Sequence, residues 1–119
     1  MPVATAIRLR KAERALHIEF DDGSRFALPA EYLRVESPSA EVQGHGPQQR
    51  QIVPGKSLVS IIGVEPVGNY AVRLLFDDRH DTGIYSWEYL YALGREHEQR
   101  WNAYLAALQE RALSREPLG

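Results

Sequence analysis

Ile7 and Leu9 alternate with polar neighbours, and so do Leu16, Ile18 and Phe20. A period of two puts such side chains on one face of a strand, so the spacing predicts strands over residues 6–9 and 15–20. The charged residues 10–14 between them read as a hairpin loop. Asp21, Asp22 and Gly23 form a turn signal, because glycine takes positive φ without strain and aspartate tolerates it. A third strand over 25–28 completes a meander, and Pro29 suits the first position of a helical turn over 30–33.

Residues 34–56 break the pattern. Ser37-Pro38-Ser39, Gly44-His45-Gly46-Pro47 and Pro54-Gly55 put three punctuators into one long loop. Regularity returns with residues 58–64, a nearly continuous apolar run rich in β-branched side chains, which predicts a central strand. A turn over 66–69, a strand over 70–76, a turn over 77–82 and a strand over 83–85 follow. Ser86 is placed to cap a short helix over 87–93 that stops at Gly94.

The last segment, 95–113, has the clearest helical period. Trp101, Tyr104, Leu105 and Leu108 follow i, i+3, i+4, i+7, and this stripe predicts a helix packed on the sheet. Glu96 and Glu98 in its first turn and Arg111 and Arg115 at its end match the helix dipole. The expected fold class is therefore α+β: antiparallel hairpins in a meander sheet, a short helix, and a C-terminal amphipathic helix packed on it. One domain over 1–116 with a tail at 117–119 accounts for the chain.

The stretch Phe20-Asp21-Asp22 followed by Glu31-Tyr32-Leu33 has an echo in Phe76-Asp77-Asp78 followed by Glu88-Tyr89-Leu90. A structural duplication and a chance similarity fit this echo equally well.

At 44% hydrophobic, a chain of 119 residues buries a core without metal or disulfide. The net charge of −2 gives no global field for a nucleic-acid backbone, so no nucleic-acid partner is expected. Cysteine is absent, which removes thiolate metal sites and disulfides and agrees with a reducing compartment. No apolar run approaches the roughly 20 residues that cross a bilayer. The first residues also lack the apolar core of a signal peptide, so the expected location is the cytoplasm, with no membrane partner.

Recognised catalytic patterns are missing: there is no His-Glu-x-x-His, no Gly-x-Ser-x-Gly and no Walker loop. Four histidines remain as candidates. His17 and His97 read as solvated residues. His45, between two glycines, sits where the backbone can approach a ligand closely. His80 lies in a turn beside Asp78 and Asp81, where a hydrogen bond to a neighbour explains it without a metal. Residues 42–50 lack apolar side chains after Val42, so they are expected to be mobile and to order against a partner.

Three ordered motifs carry a family resemblance. Leu28-Pro-Ala-Glu-Tyr-Leu-Arg34, Ser37-Pro-Ser-Ala-Glu-Val-Gln-Gly-His-Gly46, and Phe76-Asp-Asp-Arg-His-Asp-Thr-Gly-Ile-Tyr-Ser-Trp-Glu-Tyr-Leu90 resemble the DUF971 family, the gamma-butyrobetaine hydroxylase-like N-terminal domains. In the hydroxylases this domain precedes an iron and 2-oxoglutarate dioxygenase domain, which this sequence does not contain, so no enzyme is expected. The resemblance also implies a zinc site of three cysteines and one histidine. Ser37, Ser39 and Val42 stand at the cysteine positions and His80 at the histidine, so no bound zinc and no other cofactor are expected. The domain is also found appended to P-loop iron–sulfur carriers of the Mrp type.

The leading functional expectation is a non-catalytic binding or adaptor domain, accessory to such a carrier. His45, Arg50, His80 and Asp81 would be its polar contacts, on a surface formed by loop 35–56 and turn 77–83. The alternatives are a subunit serving a separate dioxygenase in trans, and a small-molecule or metal binder using His45 and His80.

Overall fold

The computed structural model describes residues 2–43 and 51–117. Among these residues six strands form two antiparallel sheets of three. The first holds β1 (Ala4–Arg10), β2 (Ala15–Phe20) and β3 (Arg25–Pro29), and the second β4 (Ile61–Val67), β5 (Ala71–Phe76) and β6 (Ile84–Ser86). Each meander runs into a helix, α1 (Ala30–Val35) and α3 (Trp87–Arg95), while α2 (Ala40–Gln43) and α4 (His97–Glu110) complete the set. The α+β expectation holds. Among the described residues no helix is long and apolar enough to cross a membrane.

The alternation over β2 does what its period requires: Leu16, Ile18 and Phe20 are buried, with His17 and Glu19 on the other face. β5 repeats this with Val72, Leu74 and Phe76. Both central strands meet Leu28, Tyr32, Leu33, Tyr85, Leu90 and Leu93 in one core.

The structure decides between duplication and chance. Phe20 ends β2 and Phe76 ends β5, and the turns that follow carry the same bonds. Phe20 N donates to Ser24 O (2.9 Å) and Gly23 N to Phe20 O (3.0 Å); Phe76 N donates to His80 O (3.0 Å) and Arg79 N to Phe76 O (3.2 Å). Asp22 Oδ1 accepts from Ser24 N as Asp78 Oδ1 accepts from His80 N. Asp21 exchanges two bonds with Val3, and Asp77 exchanges the same two with Ser60. Gly23 and Arg79 both take left-handed backbone, with φ of 87° and 72°. Even the bulges correspond, between Ala4 and Ala6 in β1 and between Ile61 and Gly63 in β4. The domain is two copies of one β-β-β-α unit.

Several expectations need correction. The strand predicted over 58–64 runs Ile61–Val67 and lies at a sheet edge instead of the centre. Leu58 is exposed in the turn before it and Ile62 is exposed at the bulge, so the continuous apolar run does not reflect burial on two faces. Pro66 fits an edge, where no ladder bond is lost. Gly94 lies inside α3 instead of ending it. A Cβ there would fall 2.4 Å from Phe26 Cγ, so glycine is required by close packing of α3 on β3. Ser86 does cap α3, accepting from Tyr89 N.

The C-terminal helix starts at His97 and ends at Glu110, with Ala112 in left-handed backbone. Through Trp101 it packs on the core that the two sheets form. Tyr104 and Leu108 form a second core with Val35, Ile52 and Val53, and Trp101 borders both cores. Leu105, expected in the apolar stripe, is exposed.

Candidate functional site

The site is built from the end of α1, the segment after it and the turn between β5 and β6. The left-handed backbone of Arg79 reverses the chain and sends the His80 ring inward, where only 5% of the residue is exposed. His80 Nε2 lies 2.8 Å from Ser37 Oγ and 3.4 Å from Ser39 Oγ, and the two hydroxyls are 3.2 Å apart. Ser37 and Ser39 are buried, and so is Val42 on α2. Gly83 makes room for this cluster, since a Cβ there would sit 2.7 Å from Ser37 Oγ. Gln43 Nε2 closes the segment by donating to Ser37 O at 2.8 Å.

A second set of bonds flanks the first. Asp78 Oδ2 accepts from Arg34 Nε at 2.8 Å and from Lys56 Nζ at 2.7 Å, while its Oδ1 accepts from His80 N. Burial alone would raise the Asp78 pKa. The hydrogen bonds from Lys56 and Arg34 outweigh it and bring the group down to about 2. Arg34 Nη1 is buried with no hydrogen-bond partner among the described residues.

Of the four residues predicted as contacts, Asp81 is exposed on the turn. His80 is a correction: it is buried and fixes the turn instead of facing a partner. His45 and Arg50 lie outside the described residues, as does most of the segment expected to be mobile. His97, read as solvated, stacks on Tyr32 at 4.3 Å between ring centroids, and burial lowers its pKa. His17 is half-buried beside Glu13 at 3.1 Å. The sequence reading missed Arg34, Lys56 and Asp78 as a unit. Asp78 and Arg34 both stand in the quoted motifs, but the fold alone brings them together.

The zinc ligand set implied by the resemblance can be tested on this geometry. Ser37, Ser39 and His80 do converge, and Val42 is buried in the short helix beside them. Two neutral hydroxyls, a hydrocarbon and one imidazole do not fit zinc, which takes thiolate, imidazole or carboxylate ligands. Among the described residues no group of three or more His, Cys, Asp or Glu is arranged to hold a metal ion.

A model of the gamma-butyrobetaine hydroxylase-like N-terminal family matches residues 7–91, from within β1 to within α3. The chain belongs to this family. Two solution NMR structures resemble it with TM-scores of 0.85, at 47% and 50% identity. Each covers 100% of this chain, which in turn covers 94% and 89% of theirs. A crystal structure of a DUF971 protein with unknown function from Acidithiobacillus ferrooxidans ATCC 23270 is 43% identical, with a TM-score of 0.65 over 76% of this chain and 91% of that one. No curated protein matches.

Proposed function

We propose that this domain is a non-catalytic binding module that docks a protein partner through the turn between β5 and β6 and the segment following α1. One observation carries the reading. Arg34, Lys56 and Ser60 bond Asp77 and Asp78, and Ser37 and Ser39 bond His80, so the turn is fixed at its base. Its tip meanwhile exposes Asp77, Arg79, Asp81 and Thr82. A charged tip held rigid from below loses little conformational entropy when a partner covers it. The family's occurrence beside P-loop iron–sulfur carriers of the Mrp type makes such a carrier the partner of choice, and the role one of an accessory in cluster delivery.

The test is calorimetric titration of the purified domain with a purified carrier of that type. Arg79→Glu and Asp81→Lys should each weaken binding at least tenfold while leaving the melting temperature within a few degrees. Absence of binding by the parent domain, or equal binding by both variants, overturns the reading.

A further inference from the structure

The two units share a backbone plan but not an outer face. In the second sheet, Glu65 and Arg73 face each other across β4 and β5 and form an ion pair. In the first sheet the corresponding row is Arg8, His17 and Ala27, two basic residues with no carboxylate among them. Arg10 lies two residues further along β1 on the same face, and both arginines are exposed. Arg25 is matched by Glu19 at 3.0 Å and His17 by Glu13 at 3.1 Å. Arg8 and Arg10 have no acidic partner among the described residues. Small side chains at Ala6 and Ala27 leave a depression of about 340 Å³ between these long ones.

β1 is also an edge strand. Among the described residues its ladder partner is β2 alone, so the backbone groups on its other side are paired with no strand there, although β4 approaches it. Along that side lies a groove of about 480 Å³, lined on β1 by Ile7 and Leu9 and opposite by Val64, Pro66 and Trp87. A strand laid along β1 would thus meet arginines on one face and hydrocarbon on the other. Arg8 and Arg10 are two residues apart, about 6.6–6.8 Å along a strand, which is the spacing of successive side chains on one face of a partner strand.

We propose that the free edge of β1 takes an extended segment of a protein partner in which carboxylates alternate with apolar side chains. Main-chain pairing supplies part of the affinity, and the alternation supplies the specificity. A second copy of this chain is disfavoured as occupant, because β1 against β1 brings arginines to the same face. This surface shares no residue with the turn between β5 and β6, so the two readings stand or fall separately.

The test uses a capped peptide matched in length to β1, with glutamate and valine alternating. Titrated into isotope-labelled domain, it should shift the amides of β1 and the groove residues of β4, with affinity falling as salt rises. The double variant Arg8→Glu/Arg10→Glu should bind it at least tenfold more weakly and should instead bind a second peptide in which lysine replaces each glutamate. That exchange distinguishes lost complementarity from lost folding. The proposal is overturned if a peptide of equal composition with its glutamates in one block binds as well. It is also overturned if a single-stranded oligonucleotide displaces the peptide with equal affinity, if the folded charge-reversed variant binds neither peptide, or if the parent dimerises through β1.

Discussion

Tyr32 and Tyr89 close each other's half of the molecule: the Tyr32 hydroxyl donates to Leu93 O in α3, and the Tyr89 hydroxyl donates to Glu36 O at the end of α1. The two tyrosines hold the same place in the Glu-Tyr-Leu of each unit, and so do their acceptors, each three residues beyond the leucine. The bonds are therefore one interaction made twice across the junction of α1 and α3.

The buried phenols set an alkaline limit. Burial raises the pKa of Tyr32 and Tyr85 well above the ordinary 10.0 and pushes Tyr104 up to about 12. A folded-state pKa above the unfolded value gives stability that is complete below pH 10 and is lost as pH rises through the folded pKa. Far-ultraviolet circular dichroism followed between pH 9 and 13 should fall together with the appearance of tyrosinate absorbance. Tyrosinate forming in full before the dichroism changes would show that these hydroxyls are accessible.

At the acid end the sign reverses. Asp78 is depressed from 3.8 to about 2, so its contribution is present above pH 4 and disappears as pH falls towards 2. Asp78→Asn should lower stability at pH 7 and flatten the dependence between pH 4 and 2, as read from urea midpoints. An unchanged acid limb would assign that slope to other carboxylates.

Gly94→Ala sets two effects against each other. Alanine favours a helix interior by about 1 kcal/mol over glycine. Its Cβ, however, would lie 2.4–2.7 Å from three atoms of the Phe26 ring, and overpacking of this kind costs about 1–3 kcal/mol. The clash should win by about 1 kcal/mol in urea denaturation, and Phe26→Leu in the same chain should restore most of the loss. A stabilised Gly94→Ala would show that β3 yields freely.

Zinc binding offers a constructive test of the cluster around His80. The parent protein should carry no stoichiometric zinc by elemental analysis. The triple variant Ser37→Cys/Ser39→Cys/Val42→Cys should acquire about one zinc per chain, since three thiolates and an imidazole complete a tetrahedral set. Adding His80→Ala should weaken that site. Zinc retained by the parent would reveal ligands other than these four.

The sequence made the local structure readable and left the long-range structure mostly hidden. The alternation in β2 and the serine cap of α3 depend on neighbours in the chain, and each is found where the pattern put it. Gly94 was mistaken for a helix stop because its reason is Phe26, far away in β3. Leu105 fell outside the core because α4 meets Val35, Ile52 and Val53 as well, which narrows its fully buried stripe to Tyr104 and Leu108. His80 was readable as a hydrogen-bonded turn residue. Its burial follows from Arg79 and Gly83, whose roles appear only once the turn is folded.

A bond set made twice across one junction has a consequence for assembly. Nothing in the contacts of Tyr32 and Tyr89 records whether the opposing helix belongs to the same polypeptide. Two molecules that exchange halves would rebuild both hydroxyl bonds and the shared core with no loss, so a swapped dimer differs from the monomer mainly in chain entropy and at the crossing segment. High concentration during refolding is the condition that favours this exchange.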